Sequence, residues 1–276
     1  MQKVIYSNEI ETYYPYIDAK AHSSIRNGHI GSFDSCKNYT LFIFRICDIQ
    51  QSALSSSQII IYLDHEDLFV LCERQRDYEL ACALFQSSET NERTLWTFFQ
   101  NLLKNDIDHL EDMECEIADA EMAAMVRFQN STIRKIVAYR KELLRLKRYY
   151  EQLDALFDSL TLNENKMLSE DGIHHFTILA RHTTRNLENV RNLRDYVTQM
   201  REAYQSQIDI DQNNLMRFFT VITAVFQPLT LMVGWYGMNF SDMPEIDWPY
   251  AYPLFIGISL LVCVALLIYF KKKKWF

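Results

Sequence analysis

Hydrophobic positions follow three successive rhythms along this chain. Between residues 1 and 75 they come in short blocks. Tyr39 to Cys47 (YTLFIFRIC), Gln58 to Leu63 (QIIIYL) and Asp67 to Cys72 (DLFVLC) are rich in β-branched and aromatic residues and predict strands of a small mixed sheet. Asn27-Gly28 and Ser55-Ser56-Ser57 supply turn chemistry nearby. From about Glu89 the pattern turns helical and does not turn back. Arg93 to Lys104 carries Leu95, Trp96, Phe99, Leu102 and Leu103 on one stripe, and helices are also predicted over Asp106 to Arg127 and Arg134 to Leu160. After Ser169-Glu170-Asp171-Gly172, Ile178, Leu187, Val190, Leu193, Val197 and Met200 keep a period of roughly 3.5 to 3.6 residues. Continued to Tyr236, that pattern spans about 65 residues, or on the order of 95 Å of helix. So long a helix must pack laterally along much of its length.

The third rhythm is unbroken apolarity. Phe218 to Tyr236 and Pro253 to Phe270 contain no charged residue. Each run is long enough to cross a hydrocarbon core of roughly 30 Å. The pair predicts a transmembrane hairpin. The expected order is a cytosolic α/β domain over 1–168, a stalk helix over 169–214, a first span over 215–236, an external loop over 237–252, a second span over 253–270 and a basic cytosolic tail over 271–276.

Charge adds orientation. The chain has 276 residues and a formal net charge of −8. Lys271 to Lys274 directly follow the second span, whereas Asp242, Glu245 and Asp247 lie between the spans. Positive residues stay on the cytoplasmic side, so both termini are expected inside and the acidic loop outside, where its carboxylates would attract cations. The N-terminal stretch MQKVIYSNEIETYY lacks the apolar core of an export signal. All five prolines are Pro15 or lie beyond position 227, which favours long helices between. The six cysteines form no CxxC pair and no zinc spacing, and they read as reduced, mostly packed residues. Acidic residues crowd Asp106 to Glu121 and basic ones Arg134 to Arg148, as expected of an antiparallel helix pair with complementary faces.

The first span is not uniformly apolar. Asn213, Met216, Thr220, Thr223, Gln227, Thr230 and Gly234 recur every three or four residues and so share one stripe. The second span offers only Ser259 and Cys263 as mild exceptions. A wet or partner-facing stripe on one helix, with the other suited to lipid, predicts a pore wall. Two helices cannot enclose water, so the pore requires an oligomer around an axis. At its mouth stands Gly237-Met238-Asn239. The Asn239 side-chain and backbone carbonyls would accept hydrogen bonds from a hydrated cation, in a ring without charge to trap it. Gly237 is expected to turn the backbone at the helix end, with Tyr236 and Met238 packed behind the ring.

These features together resemble the CorA metal-ion transporter family. The resemblance lies in Pro228-Leu229-Thr230, Tyr236-Gly237-Met238-Asn239-Phe240, Met243-Pro244-Glu245, Trp248 and Lys271 to Trp275, covering roughly the last 65 residues. It implies a funnel-shaped homopentamer in the inner membrane that carries Mg2+, with Co2+ and Ni2+ as lesser substrates, driven by membrane potential. It also implies ion contacts at Asn239, Thr230 and Asn213 and a hydrophobic constriction at Met216 and Phe219. Gln227 stands where the family has an apolar pore residue. The family's regulatory Mg2+ bridges carboxylates between neighbouring cytosolic domains. Around Ile178 this chain instead has His174, His175 and Arg181, and Glu202 is the nearest acidic position toward the pore entrance.

Other classes remain open at this point. A zinc transporter of the same superfamily, proton-coupled, would keep the fold but depart from Gly-Met-Asn at the middle residue. A non-conducting membrane tether would keep the helices alone. No GxSxG, HExxH, P-loop or glycine-rich cofactor loop is present, so neither an enzyme nor a resident cofactor is expected, and no nucleic-acid partner. His174, His175 and His182 read as surface or packing residues rather than a zinc site.

Overall fold

The computed structural model describes residues 1–46, 57–126, 130–238, 248–273 and 275. The chain divides into two compact units, Met1–Arg201 and Glu202–Phe276.

The first unit is built on a five-stranded sheet of β1 (Gln2–Tyr6), β2 (Phe33–Ser35), β3 (Tyr39–Ile46), β4 (Ser57–Asp64) and β5 (Leu68–Cys72). The strand order is β1-β5-β4-β3-β2; β1 pairs with β5 in parallel and every other neighbour is antiparallel, so the sheet is mixed as expected. β3 reads as a nearly continuous apolar run because it is central and covered on both faces. On one face Tyr39, Leu41, Tyr62 and Phe69 pack with Ile17, Ala21 and Ile25. These come from the segment holding α1 (Ile10–Tyr13) and α2 (Ala21–Asn27). On the other, Phe42 and Phe44 stack with Phe99, which meets Phe157 edge-on at 5.0 Å.

That second face is covered by helices. α3 (Gln75–Leu84) leads into α4 (Asn91–Leu103), which carries Phe99 and starts at Thr90, whose hydroxyl caps the Arg93 N–H. α5 (Asp106–Val126) and α6 (Asn130–Leu162) run antiparallel: the Tyr150 hydroxyl reaches Asp106 and the Tyr139 hydroxyl reaches the Glu116 carbonyl. Among the described residues α6 carries internal ion pairs, Arg145 with Glu142 and Lys147 with Glu151 at 3.1 Å. Tyrosine hydrogen bonds and buried apolar contacts join α5 to α6.

The turn after α6 uses Asn163 in the left-handed region at φ 45°. Asn165 there donates to the Thr40 hydroxyl at 2.7 Å, fastening the turn to the sheet. Ser169 then caps α7 (Glu170–Tyr236), a single helix of 67 residues. Gly172 lies against Glu92 on α4; a Cβ there would stand 2.6 Å from the Glu92 carboxylate, which would have to shift to admit it.

In the second unit, the C-terminal part of α7 packs on α8 (Ala251–Lys272). Both helices contain stretches long and apolar enough to cross a membrane, and little of either stretch is buried. Phe226, Leu231, Trp235, Leu260 and Leu261 are at least 60 % exposed. So much uncovered apolar surface demands lipid or further protein around it. α7 continues through Pro228, which supplies no N–H for the Ala224 carbonyl.

Candidate functional site

α8 covers one side of α7 only. Val221 and Val225 are buried there against Phe270, with Ala224, Cys263, Leu266 and Trp275 around them. Farther along, Tyr236 meets Phe255 edge-on at 5.3 Å, so the two helices run antiparallel. At about 100° per residue, Thr223, Gln227, Thr230 and Gly234 lie within an arc of about 60°, about 170° round from the Val221–Val225 edge. Met216 and Thr220 extend the arc toward the start of the unit, with Phe219 on one flank and Asn213 on the other. All eight are exposed. The structure therefore brings the stripe onto one uncovered face, opposite the α8 contact.

A groove of about 810 Å³ runs along this face. Thr223, Gln227, Thr230 and Gly234 lie along it, flanked by Ile222 and Phe226 on one side and Leu231, Trp235 and Met238 on the other. The threonines of the stripe share one orientation. The Thr220, Thr223 and Thr230 hydroxyls donate to the carbonyls of Met216, Phe219 and Phe226 at 2.8, 2.9 and 2.9 Å. Their single protons are thereby used, and what they turn outward is lone pairs. Such a surface accepts hydrogen bonds from water and repels none of the positive end of a hydrated cation.

α7 ends at Tyr236, and Gly237 makes the turn that follows, as expected. Gly237 is not in the left-handed region; it closes the last turn by donating to the Val233 carbonyl at 2.9 Å. A Cβ at Gly237 would sit 3.1 Å from that same oxygen, so glycine serves close approach here rather than a positive φ. Tyr236 packs on Phe255, and Met238 is 52 % exposed in the subunit. Asn239, Asp242, Glu245 and Asp247 lie outside the described residues.

In the first unit, His175 stacks on Trp96 at 4.8 Å, which accounts for it as a packing residue. No group of three or more His, Cys, Asp or Glu side chains able to hold a metal ion occurs among the described residues. One buried ionisable group was hidden within the acidic run. Asp106 is 3 % exposed and accepts from the Tyr150 hydroxyl at 2.9 Å. Burial pushes its carboxyl up to about 7, against the smaller opposing effect of the Tyr150 hydrogen bond. The only sequence signal was its place in the helical register of Leu110, Met113 and Ile117, all buried.

Comparison with known proteins bears on the whole chain. A family model described as "CorA-like Mg2+ transporter protein" matches residues 9–272. The "Cobalt/magnesium transport protein CorA" of Thermotoga maritima is 30% identical over 166 residues, 60% of this chain and 47% of that protein. The "Magnesium transport protein CorA" of Wolinella succinogenes is 39% identical over 97 residues, 35% of this chain and 28% of its own. The matched region thus spans less than half the length of these two relatives. Among solved structures, the complete CorA magnesium transporter from Methanocaldococcus jannaschii superposes with a TM-score of 0.83 at 16% identity, covering 100% of this chain and 91% of that one. The ZntB cytoplasmic domain from Vibrio parahaemolyticus superposes with a TM-score of 0.57 at 16% identity over 73% of this chain and 84% of its own. These likenesses establish the fold.

Proposed function

We propose, from the finding that this chain belongs to the CorA-like Mg2+ transporter family, that it carries divalent cations, chiefly Mg2+, across a membrane through a pore walled by α7. The observation that carries this reading is the acceptor-bearing stripe of α7, uncovered and opposite the α8 contact. In hydrocarbon such a stripe would leave the Gln227 amide unsatisfied, at a cost of several kcal/mol, and the threonine lone pairs unused. Copies of the chain arranged around an axis remove that cost by turning their stripes inward on water, while α8 faces lipid. The family resemblance makes the number of copies five. Names of relatives, CorA of Thermotoga maritima among them, favour Mg2+ and Co2+ as cargo.

In this reading Asn239 forms the neutral ring at the outer mouth, where its carbonyls take hydrogen bonds from the ion's water shell. Thr230 and Asn213 repeat that contact along the path, and Met216 and Phe219 form the apolar narrowing. Asp242, Glu245 and Asp247 raise the cation concentration outside. The lysines after α8 hold both termini in the cytoplasm. An inward potential of 100 mV supplies about 4.6 kcal/mol to a divalent ion, twice the single-charge value, so no nucleotide is needed. Met238 at the middle of the tripeptide favours Mg2+ over the zinc alternative.

Uptake by proteoliposomes holding the wild type or Asn239→Ala, with Mg2+ and Zn2+ offered separately, tests the reading. Mg2+ uptake that Asn239→Ala abolishes is the expected result. Zinc-only flux would replace the cargo, and no flux at all from the wild type would leave a tether.

A further inference from the structure

We infer that Gln227 closes an amide ring between copies of this chain, lining the ion path with hydrogen-bonding groups at mid-span. This rests on the reading of α7 as the pore wall. Gln227 lies in the groove between Thr223, one turn toward the inner end, and Thr230, three residues toward the mouth. It is exposed in the subunit. Unlike the threonines beside it, whose protons are committed to their own helix, its side-chain amide has no hydrogen-bond partner among the described residues. Of the side chains beside it, Ile222, Phe226 and Leu231 offer none, and Thr223 and Thr230, which could only accept, are not bonded to it. An amide left so in a membrane costs several kcal/mol, and the α8 side of the helix is too far round to relieve it.

The partner that fits is the same amide on a second copy. A carboxamide is self-complementary, with two N–H donors and one carbonyl. Around a rotation axis each copy can donate one N–H to the next and accept one from the previous, the head-to-tail arrangement that closes a ring. Every member then keeps one N–H and one lone pair for the lumen. Thr220, Thr223 and Thr230 cannot build such a ring, because they have no proton left to give. Hydroxyl and amide oxygens therefore form one wettable stretch from Thr223 to Gly234. The dry narrowing is confined to Met216 and Phe219, about 12 to 16 Å farther along the helix. An apolar side chain at the Gln227 position would extend that dry stretch toward the mouth, where narrow hydrophobic pores lose their water.

Two variants in proteoliposomes test this. With Gln227→Cys, mild oxidation should yield disulfide-linked dimers absent from the wild type, which keeps all its native cysteines, and absent from Val225→Cys, which points at α8. With Gln227→Leu, Mg2+ uptake should fall about ten-fold while the oligomer keeps its size, equivalent to about 1.4 kcal/mol on the barrier. Failure of the cysteine variant to cross-link overturns the ring, as does leucine-variant uptake that equals or exceeds the wild type. Where the leucine variant does not assemble, cross-linking alone decides. Wild-type uptake that is sensitive to Asn239→Ala but indifferent to Gln227→Leu sinks the ring and leaves the pore standing. Absence of any wild-type uptake overturns both.

Discussion

Asp106→Asn should make this protein more stable above neutral pH and leave it nearly unchanged in acid. The carboxyl is 3 % exposed at the start of α5, and burial lifts it from 3.8 to about 7. A carboxyl with a folded-state value above its unfolded one holds its proton more tightly when folded. Its contribution to stability is therefore complete below about pH 4, drains away as pH rises from about 4 to about 7, and stays lost above. At 1.36 kcal/mol per pH unit that loss is on the order of 4 kcal/mol. The asparagine amide carries no charge to desolvate, and its oxygen accepts the same Tyr150 hydroxyl. Subtracting the wild-type and variant curves cancels every titration common to both. The assay is thermal melting of the full chain in detergent from pH 4.5 to pH 8.5. For a unit of this size 4 kcal/mol corresponds to on the order of 10 °C, gained by the variant at pH 8.5 and reduced to about a quarter of that at pH 4.5. A pH-independent difference, or a variant that melts lower throughout, would refute the argument.

Two stability predictions concern the first unit. Phe99→Ala removes a fully buried ring that touches Phe42, Phe44, Phe98 and Phe157, and should cost about 3–5 kcal/mol, seen as a melting point lower by on the order of 10 °C. Gly172→Ala pushes a methyl onto the Glu92 carboxylate, which accepts from both the Ser169 N–H and its hydroxyl at 2.9 and 2.7 Å. Losing those bonds should cost about 1–3 kcal/mol. Added to Glu92→Ala, the glycine change should cost much less, and a fully additive double mutant would show that the clash is not with Glu92.

Much of the fold was legible because its determinants are local. β3 and β4 announce themselves in runs of Phe, Ile, Leu and Tyr that lie on consecutive, hairpin-paired strands. β1 does not, because it opens with Gln2 and Lys3 and its partner β5 lies more than sixty residues away. What fixes it is tertiary: the Gln2 side chain bonds the Ser88 carbonyl, the Ser88 N–H and the Thr94 hydroxyl. β2 is only three residues long and has no periodicity to read. In the second unit the spacing from Met216 to Gly234 places residues on one face of any helix, so the stripe could be seen beforehand. Which side α8 would cover could not, since α8 is apolar all round and its sequence names no preferred face. The conformation of Gly237 was likewise out of reach, because glycine serves a positive φ and a tight approach equally well.

The two units obey opposite solvents, and this decides which residues carry information. In Met1–Arg201 exposed polar side chains are the background, and the positions that matter are polar ones inside, such as Asp106, Thr183 and Asn186. A run of exposed threonines and a glutamine on α6 would mean nothing. Beyond Arg217 the background is inverted, with Phe226, Leu231, Trp235 and Leu261 standing outside. There an exposed Thr223, Gln227 or Thr230 is the exception, and the Gln227 amide, without the bond to its own helix that the threonines make, asks for water or a partner that lipid cannot provide. α7 passes from one regime to the other without a break in its helix. The same residue type therefore has to be weighed against a different surround on either side of Arg217. A glutamine is unremarked at position 205, where it bonds Asp209 one turn on, and at position 227 it requires another molecule.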